Sequence, residues 1–217
     1  NKSKTYKSHF LGCKNLAAIL LKRPPISFVQ MGSSLEYGKT KTIQNENLKC
    51  RPISIYAKSK YYSTRHLLKL YKKYNFPVTI LRLYQGYGEK QDSNRLIPFV
   101  IKNCLKNKKF KCSEGSQIRD FIYVDDIVNA IFKVFNNKNA RGEVLNLGSG
   151  KGIKIKNLIK FISKIIEKGN PLFGKIKLRS DESLDVRPSL KKIKKILKWK
   201  PQFSLEKGLK RTIKSYE

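Results

Sequence analysis

The sequence is short of acid: 15 Asp and Glu stand against 48 Lys and Arg in 217 residues, a formal net charge of +33. It holds only two histidines and four cysteines. No cysteine pair is spaced CxxC, and His9 and His66 are too few and too far from Cys13, Cys50, Cys104 and Cys112 to build a zinc site. The same spacing gives no disulfide framework, which points to free thiols in a reducing cytoplasm. No apolar run reaches the roughly 18–20 residues of a membrane span, which excludes an integral helical membrane protein. No N-terminal stretch joins a basic start, an apolar core and a small-residue cleavage site, so secretion is not expected. Acid is scarce but apolar residues are not. They make up 40% of the chain and aromatics 11%, enough to exclude a disordered polymer and to support a sizeable core. The charge could serve nucleic acid or an anionic surface. The lysines, however, run from Lys2 to Lys214 without gathering in one tail, so they read as a solvated surface, and specific nucleic-acid binding is not expected.

Hydrophobic periodicity predicts a helix over 3–22, carried by Phe10, Leu11, Leu16, Ile19 and Leu20 and stopped at Pro24-Pro25. Ile26 to Met31 reads as a buried strand closed by Gly32-Ser33-Ser34. Tyr56 to Tyr74 reads as a helix, and the β-branched run Val78 to Leu83 as a strand buried on both faces. Helix, strand, helix, strand in this order argues for βαβ units and a parallel sheet. Further on, helices are predicted over 96–105, from Asp125-Asp126 to about Phe135, and over 155–167, 189–197 and 204–215. Strands are predicted at 110–112, 119–124 and 143–147. Asp125-Asp126 is expected to supply an N-cap and a first-turn acid.

Two clusters carry chemistry. In Tyr56-Ala57-Lys58-Ser59-Lys60 the phenol and an ammonium sit at i and i+4, one turn apart on one helical face. A phenol with a reference pKa near 10 is a poor base at neutral pH. An ammonium about 4 Å away favours phenolate by up to about 4 kcal/mol, or about 3 pKa units, at an effective dielectric of about 20. A Tyr so tuned can take a proton from a hydroxyl while hydride leaves the same carbon. The second cluster is Gly32-Ser33-Ser34-Leu35-Glu36-Tyr37-Gly38, at the carboxyl end of a predicted parallel strand, where ligands of open α/β sheets bind. Either motif alone has an ordinary reading, as an exposed helix start or a Ser-rich turn.

Their order is more specific than either part. Leu81-Arg82-Leu83-Tyr84-Gln85-Gly86-Tyr87-Gly88 follows at the next strand, then Asn94 to Val100 (NRLIPFV), Gln117 to Asp126 (QIRDFIYVDD), Val144 to Gly150 (VLNLGSG) and Leu197 to Pro201 (LKWKP). With Gly12 and Leu16 in the preceding helix, the whole chain resembles the extended short-chain dehydrogenase/reductase superfamily, in its NAD-dependent sugar-nucleotide epimerase/dehydratase branch. The resemblance implies an α/β fold, the C-terminal part of a Rossmann-like doubly wound parallel sheet plus a small α/β substrate-binding domain. Residues 1–88 would be the remainder of the NAD-binding domain. Residues 89–217 would mostly bind the nucleotide-diphosphate sugar and return some elements to the sheet. It further implies Tyr56 as catalytic acid/base, Lys60 as the group that tunes Tyr56 and holds the nicotinamide ribose, and Ser33 as the hydroxyl that orders the substrate. Tyr84 would border the nicotinamide. Gln85 takes the place where the family usually has a substrate-binding Asn, keeping the amide and adding a methylene. Arg119 and Arg179 would meet the diphosphate and Leu96 the nucleotide. No metal is implied, the cofactor is NAD with NADP left open, and the intact protein would be a homodimer.

No GxxGxxG or GxGxxG precedes Ser33, although a Rossmann enzyme meets the pyrophosphate at such a turn. Gly148 to Gly152 is glycine-rich but lies in the late VLNLGSG block and reads as a structural turn. A member lacking its first βα units is therefore expected. Dehydratases of this branch follow the active-site hydroxyl with Asp-Glu, whereas Ser34-Leu35 stands here and Glu36 is one position off. An epimerase or 4-keto reductase is expected, ahead of a 4,6-dehydratase, a non-catalytic remnant or a basic nucleic-acid-binding protein.

Overall fold

The computed structural model describes residues 2–40, 43–178 and 182–217. The single helix predicted over 3–22 is wound in three pieces: α1 (Lys2–Tyr6), a π-helical turn (Lys7–Leu11) and α2 (Gly12–Leu20). Then come β1 (Phe28–Ser33), a 3-10 turn (Ser34–Tyr37), α3 (Ile55–Tyr74), β2 (Val78–Leu83), β3 (Gln85–Tyr87), α4 (Leu96–Leu105), β4 (Lys109–Lys111), β5 (Ile118–Tyr123) and α5 (Val124–Phe135). The chain continues with β6 (Val144–Leu147), β7 (Gly152–Lys154), α6 (Ile155–Ile166), β8 (Asn170–Leu172), β9 (Asp185–Val186), α7 (Lys191–Leu197) and α8 (Leu205–Lys214). The class is α/β, as expected. The strands absent from the sequence reading (β3, β7, β8 and β9) have two or three residues, too few to show a period of two.

Two compact units share the chain, and each draws on three separate segments. The first comprises Asn1–Tyr84, Val128–Leu147 and Pro188–Lys200. Its sheet is parallel in the order β1-β2-β6, with Ser33 opposite Leu83 and Leu83 opposite Leu147. β2 lies between two partners and is buried along nearly its whole length, Val78, Ile80 and Leu81 among its apolar residues, as in a parallel strand covered on both faces. Helix α3 starts where the Ser54 hydroxyl accepts the Ala57 N–H at 3.2 Å. It stops at Asn75, which adopts φ 54°, a left-handed cap that Asn tolerates. Between these ends Leu67 and Leu70 pack with Ala17 of α2 against Phe76, Val78 and Ile80. Each such large apolar side chain contributes about 1.5–3 kcal/mol on full burial.

A buried polar net secures the segment after β1. The Tyr37 hydroxyl donates to Asn146 Oδ1 at 2.7 Å, Asn146 Nδ2 donates to the Gln44 carbonyl at 3.0 Å, and the Tyr84 hydroxyl donates to Gln44 Oε1 at 2.7 Å. Gly38 turns the chain at φ 74°, where a Cβ would lie 2.0 Å from the Arg51 carbonyl oxygen; no other residue fits.

The second unit comprises Gln85–Ile127, Gly148–Arg187 and Pro201–Glu217. β5 is its hub, parallel to β3 and β9 and antiparallel to β7; β4 and β8 form a separate parallel pair. Ile97, Val100, Ile101 and Cys104 of α4 meet Leu158, Ile159 and Ile162 of α6 in the core, with Leu209 and Ile213 of α8. Asp125 and Asp126 do not divide the roles expected of them. Helix α5 already begins at Val124, so both lie in its first turn. The Asp126 carboxylate accepts the backbone N–H groups of Gln202 and Phe203 at 2.7 and 3.1 Å, and Asp125 pairs with Arg211 at 3.1 Å. Among the described residues no helix is long and apolar enough to cross a membrane, no group of three His, Cys, Asp or Glu could hold a metal, and Cys13, Cys50, Cys104 and Cys112 are free thiols.

Candidate active site

Ser33 ends β1 in extended backbone, and its buried hydroxyl caps the turn that follows. Ser33 Oγ accepts the Leu35 N–H at 3.2 Å, and the Glu36 carboxylate reaches back to accept the Ser33 N–H at 2.9 Å. This capping box engages a lone pair of the hydroxyl and not its hydrogen, so Ser33 keeps a donor for a ligand. Gly32 makes the close approach of Glu36 possible: a Cβ there would stand 2.7 Å from Glu36 Oε1. Glu36 is fully buried and pairs with Arg82 of β2 at 3.1 Å. The Arg82 guanidinium in turn lies over the Tyr37 ring, 4.5 Å from its centroid. Burial pushes the Tyr37 phenol up to about 12.

Tyr56 and Lys60 lie in the first two turns of α3. The Lys60 ammonium donates to the Met31 carbonyl oxygen of β1 at 2.8 Å and stands 5.8 Å from the centroid of the Tyr56 ring. One side chain therefore links the phenol to the strand that ends, two residues on, at Ser33. Burial holds the Lys60 pKa below its ordinary value, while Glu36 and Cys13 pull the other way. The imidazole of His9 packs against the opposite partner of this pair, with its ring centroid 5.0 Å from that of Tyr56.

The cofactor and substrate candidates fall into two groups. Tyr84 follows β2 in the first unit, is buried, and its N–H donates to the Leu147 carbonyl at 3.0 Å. Gln85, Leu96 and Arg119 belong to the second unit and come together around one largely apolar cavity of about 390 Å³, walled also by Phe99 and Glu182. Arg119 is buried in β5, where its guanidinium donates to the Ile118 carbonyl at 2.8 Å and pairs with Glu182. Arg179 lies outside the described residues. The Gly148–Gly150 turn is structural: the Asp120 carboxylate accepts Ser149 N–H at 2.6 Å and Ser149 Oγ–H at 3.0 Å. Burial raises the Asp120 pKa to about 6, against the pull of those hydrogen bonds.

Residues 1–148 match the model of the NAD dependent epimerase/dehydratase family. The chain belongs to that family. It is 32% identical over 169 residues to a CDP-abequose synthase of Salmonella muenchen, a match covering 75% of this chain and 57% of the synthase. The chain spans about half to three fifths (46–61%) of the length of such curated relatives. Among solved structures, the UDP-glucose 4-epimerase of Thermotoga maritima, determined with UDP-glucose, superposes with a TM-score of 0.94 at 25% identity over 100% of this chain and 71% of that one. The dTDP-glucose 4,6-dehydratase of Bacillus anthracis, in complex with NAD, gives 0.88 at 27% identity over 97% and 68%. The fold is thereby Rossmann-like, as expected.

Within the epimerase/dehydratase frame, part of the expected dinucleotide site fits the residues present. Ser33, Leu83 and Leu147 stand side by side at the carboxyl ends of parallel strands, the edge at which such sheets bind ligands. Lys60 sets an ammonium with three donors beside that edge, and Met31 takes one of them. A glycine-rich strand-to-helix turn for the pyrophosphate is not found among the described residues. Two members of the site carry no signal in the sequence. Glu182 sits in an irregular segment with no motif, and His9 is legible only as one of two histidines too few for zinc.

Proposed function

We propose that this epimerase/dehydratase family member interconverts nucleotide-diphosphate sugars as an epimerase or 4-keto reductase, with NAD as its cofactor. NAD supplies hydride acceptance and return at a sugar carbon. Tyr56 takes and returns the proton of the sugar hydroxyl, Ser33 donates to that oxygen, and Lys60 biases Tyr56 toward phenolate. In the second unit the cavity lined by Gln85 and Leu96 takes the nucleotide, and Arg119 meets the diphosphate, exchanging Glu182 for phosphate oxygens. The observation that carries the reading is the Lys60 ammonium, fixed at 2.8 Å on the β1 backbone and set beside the Tyr56 ring. The NAD complex of the B. anthracis relative and the UDP-glucose complex of the T. maritima relative support the cofactor and the substrate class. Epimerisation or reduction is favoured over dehydration, because elimination of water needs a further acid–base pair. Here Leu35 has no proton to transfer, and Glu36 is fully buried in its ion pair. The four free thiols agree with a reducing cytoplasm.

The test is Tyr56→Phe in the whole protein, assayed with NAD on UDP-, dTDP- and CDP-sugars. Loss of a proton-transfer group lowers kcat by about 10²–10⁴-fold. Wild-type turnover in the phenylalanine variant would overturn the assignment.

A further inference from the structure

The π-helical turn (Lys7–Leu11) interrupts an otherwise regular helix, with the Gly12 N–H bonded to the Lys7 carbonyl five residues back. Such single π turns are rare inside α-helices and frequent at functional sites. This one delivers His9 to α3. The His9 and Tyr56 rings meet edge-to-face, with centroids 5.0 Å apart and planes at 89°, an arrangement that aromatic pairs prefer. The turn is also gripped from behind, since the Ser63 hydroxyl donates to the His9 carbonyl oxygen at 2.6 Å. Tyr56, Lys60 and Ser63 fall on one stripe of α3, so the helix that carries the phenol also fixes the backbone beneath the imidazole.

We propose that His9 is a positioning residue for Tyr56: the π turn holds its imidazole against the phenol ring, and a change in the charge of His9 is felt at Tyr56. This rests on the reading of Tyr56 as the acid/base. Tyr56 and Lys60 face His9 from α3, and Glu36 and Cys13 lie beyond Lys60; Lys2 and Lys4 of α1 are exposed. Partial burial, and then repulsion from Lys60, hold the His9 pKa below its ordinary 6.5. The ring is thus neutral at pH 7, and an imidazolium appears beside Tyr56 and Lys60 only in acid.

The experiment labels the protein with ¹³C at tyrosine Cζ and histidine Cε1 and follows both by NMR from about pH 4.5 to about pH 7.5, the range of histidine titration. Tyr56→Phe and His9→Phe identify the two signals. The Tyr56 signal is expected to move with the His9 midpoint, below pH 6.5, and to lose that movement in His9→Phe, which keeps a ring but does not titrate. In turnover, His9→Ala is expected to lower kcat about tenfold through misplacement of the phenol with KM unchanged, and His9→Phe to recover most of the loss. A Tyr56 signal that ignores the His9 titration, or wild-type kcat in His9→Ala, overturns the proposal. Normal turnover in Tyr56→Phe together with intact NMR coupling would instead bring down the acid/base reading, while supporting the hold of His9 on the ring.

Discussion

Glu36 and Arg82 form the buried ion pair of the first unit, with side chains 0% and 5% exposed. Removing one charge of such a pair strands the other in a medium that solvates it poorly. Glu36→Gln is therefore expected to destabilise the fold by about 3 kcal/mol and to lower Tm by about 6–12 °C for a chain of this size, which thermal unfolding by circular dichroism reads directly. A variant that melts with the wild type would show that the pair contributes nothing net. The same residue marks the limit of the sequence reading. Ser33, Tyr56 and Lys60 were legible because their chemistry and order are distinctive. In the sequence Glu36 is set aside only as one position off the Asp-Glu that dehydratases carry. The segment is a 3-10 turn, and Glu36 is withdrawn for a different reason: it closes a capping box and neutralises Arg82. A pairing partner 46 residues away in sequence leaves no local pattern to read.

Strands and helices with a strong period were legible to within a residue or two: β2 at Val78–Leu83, α4 at Leu96–Leu105 and α6 at Ile155–Ile166. The π turn was not, because a single five-residue turn inside a helix is too short to show a period of its own. Nor was the link from β5 to the glycine-rich turn after β6, which runs through the Asp120 carboxylate. That link makes a prediction about pH. The folded pKa of Asp120, about 6, lies above its ordinary 3.8, so the native state holds the proton more tightly than the unfolded chain. The stabilisation is complete below about pH 4 and is lost as pH rises through about 6, a difference of about 2–3 kcal/mol. The lowered pKa values of His9 and His66 act in the opposite sense, costing stability as pH falls below 6.5. The contrast between wild type and Asp120→Asn isolates the carboxylate: urea unfolding at about pH 4 and about pH 7 should show a smaller loss toward neutrality in the variant. Equal slopes would remove Asp120 as the source.

At the scale of the molecule the dominant quantity is +33. Leu16 and Ile19 of α2 and Tyr62 of α3 are 49%, 67% and 42% exposed, an apolar face on which the homodimer implied by the family resemblance would form. Two copies of this charge repel, and salt screens repulsion beyond a Debye length of about 10 Å at 0.1 M. If that homodimer forms, sedimentation is expected to find it at about 0.3 M salt and to find dissociation toward about 0.02 M; monomer throughout would overturn that expectation.

Neither unit is a contiguous stretch of chain. The sheet of the first waits for β6, and the core of the second waits for α8. Domains ordinarily mature one after another as they leave the ribosome, but here the first unit cannot finish before Lys200 has emerged, nor the second before the segment Pro201–Glu217 that follows it. Both halves are left to mature almost together, with unsatisfied strand edges held open until then, an interval in which chaperones would be the natural guardians.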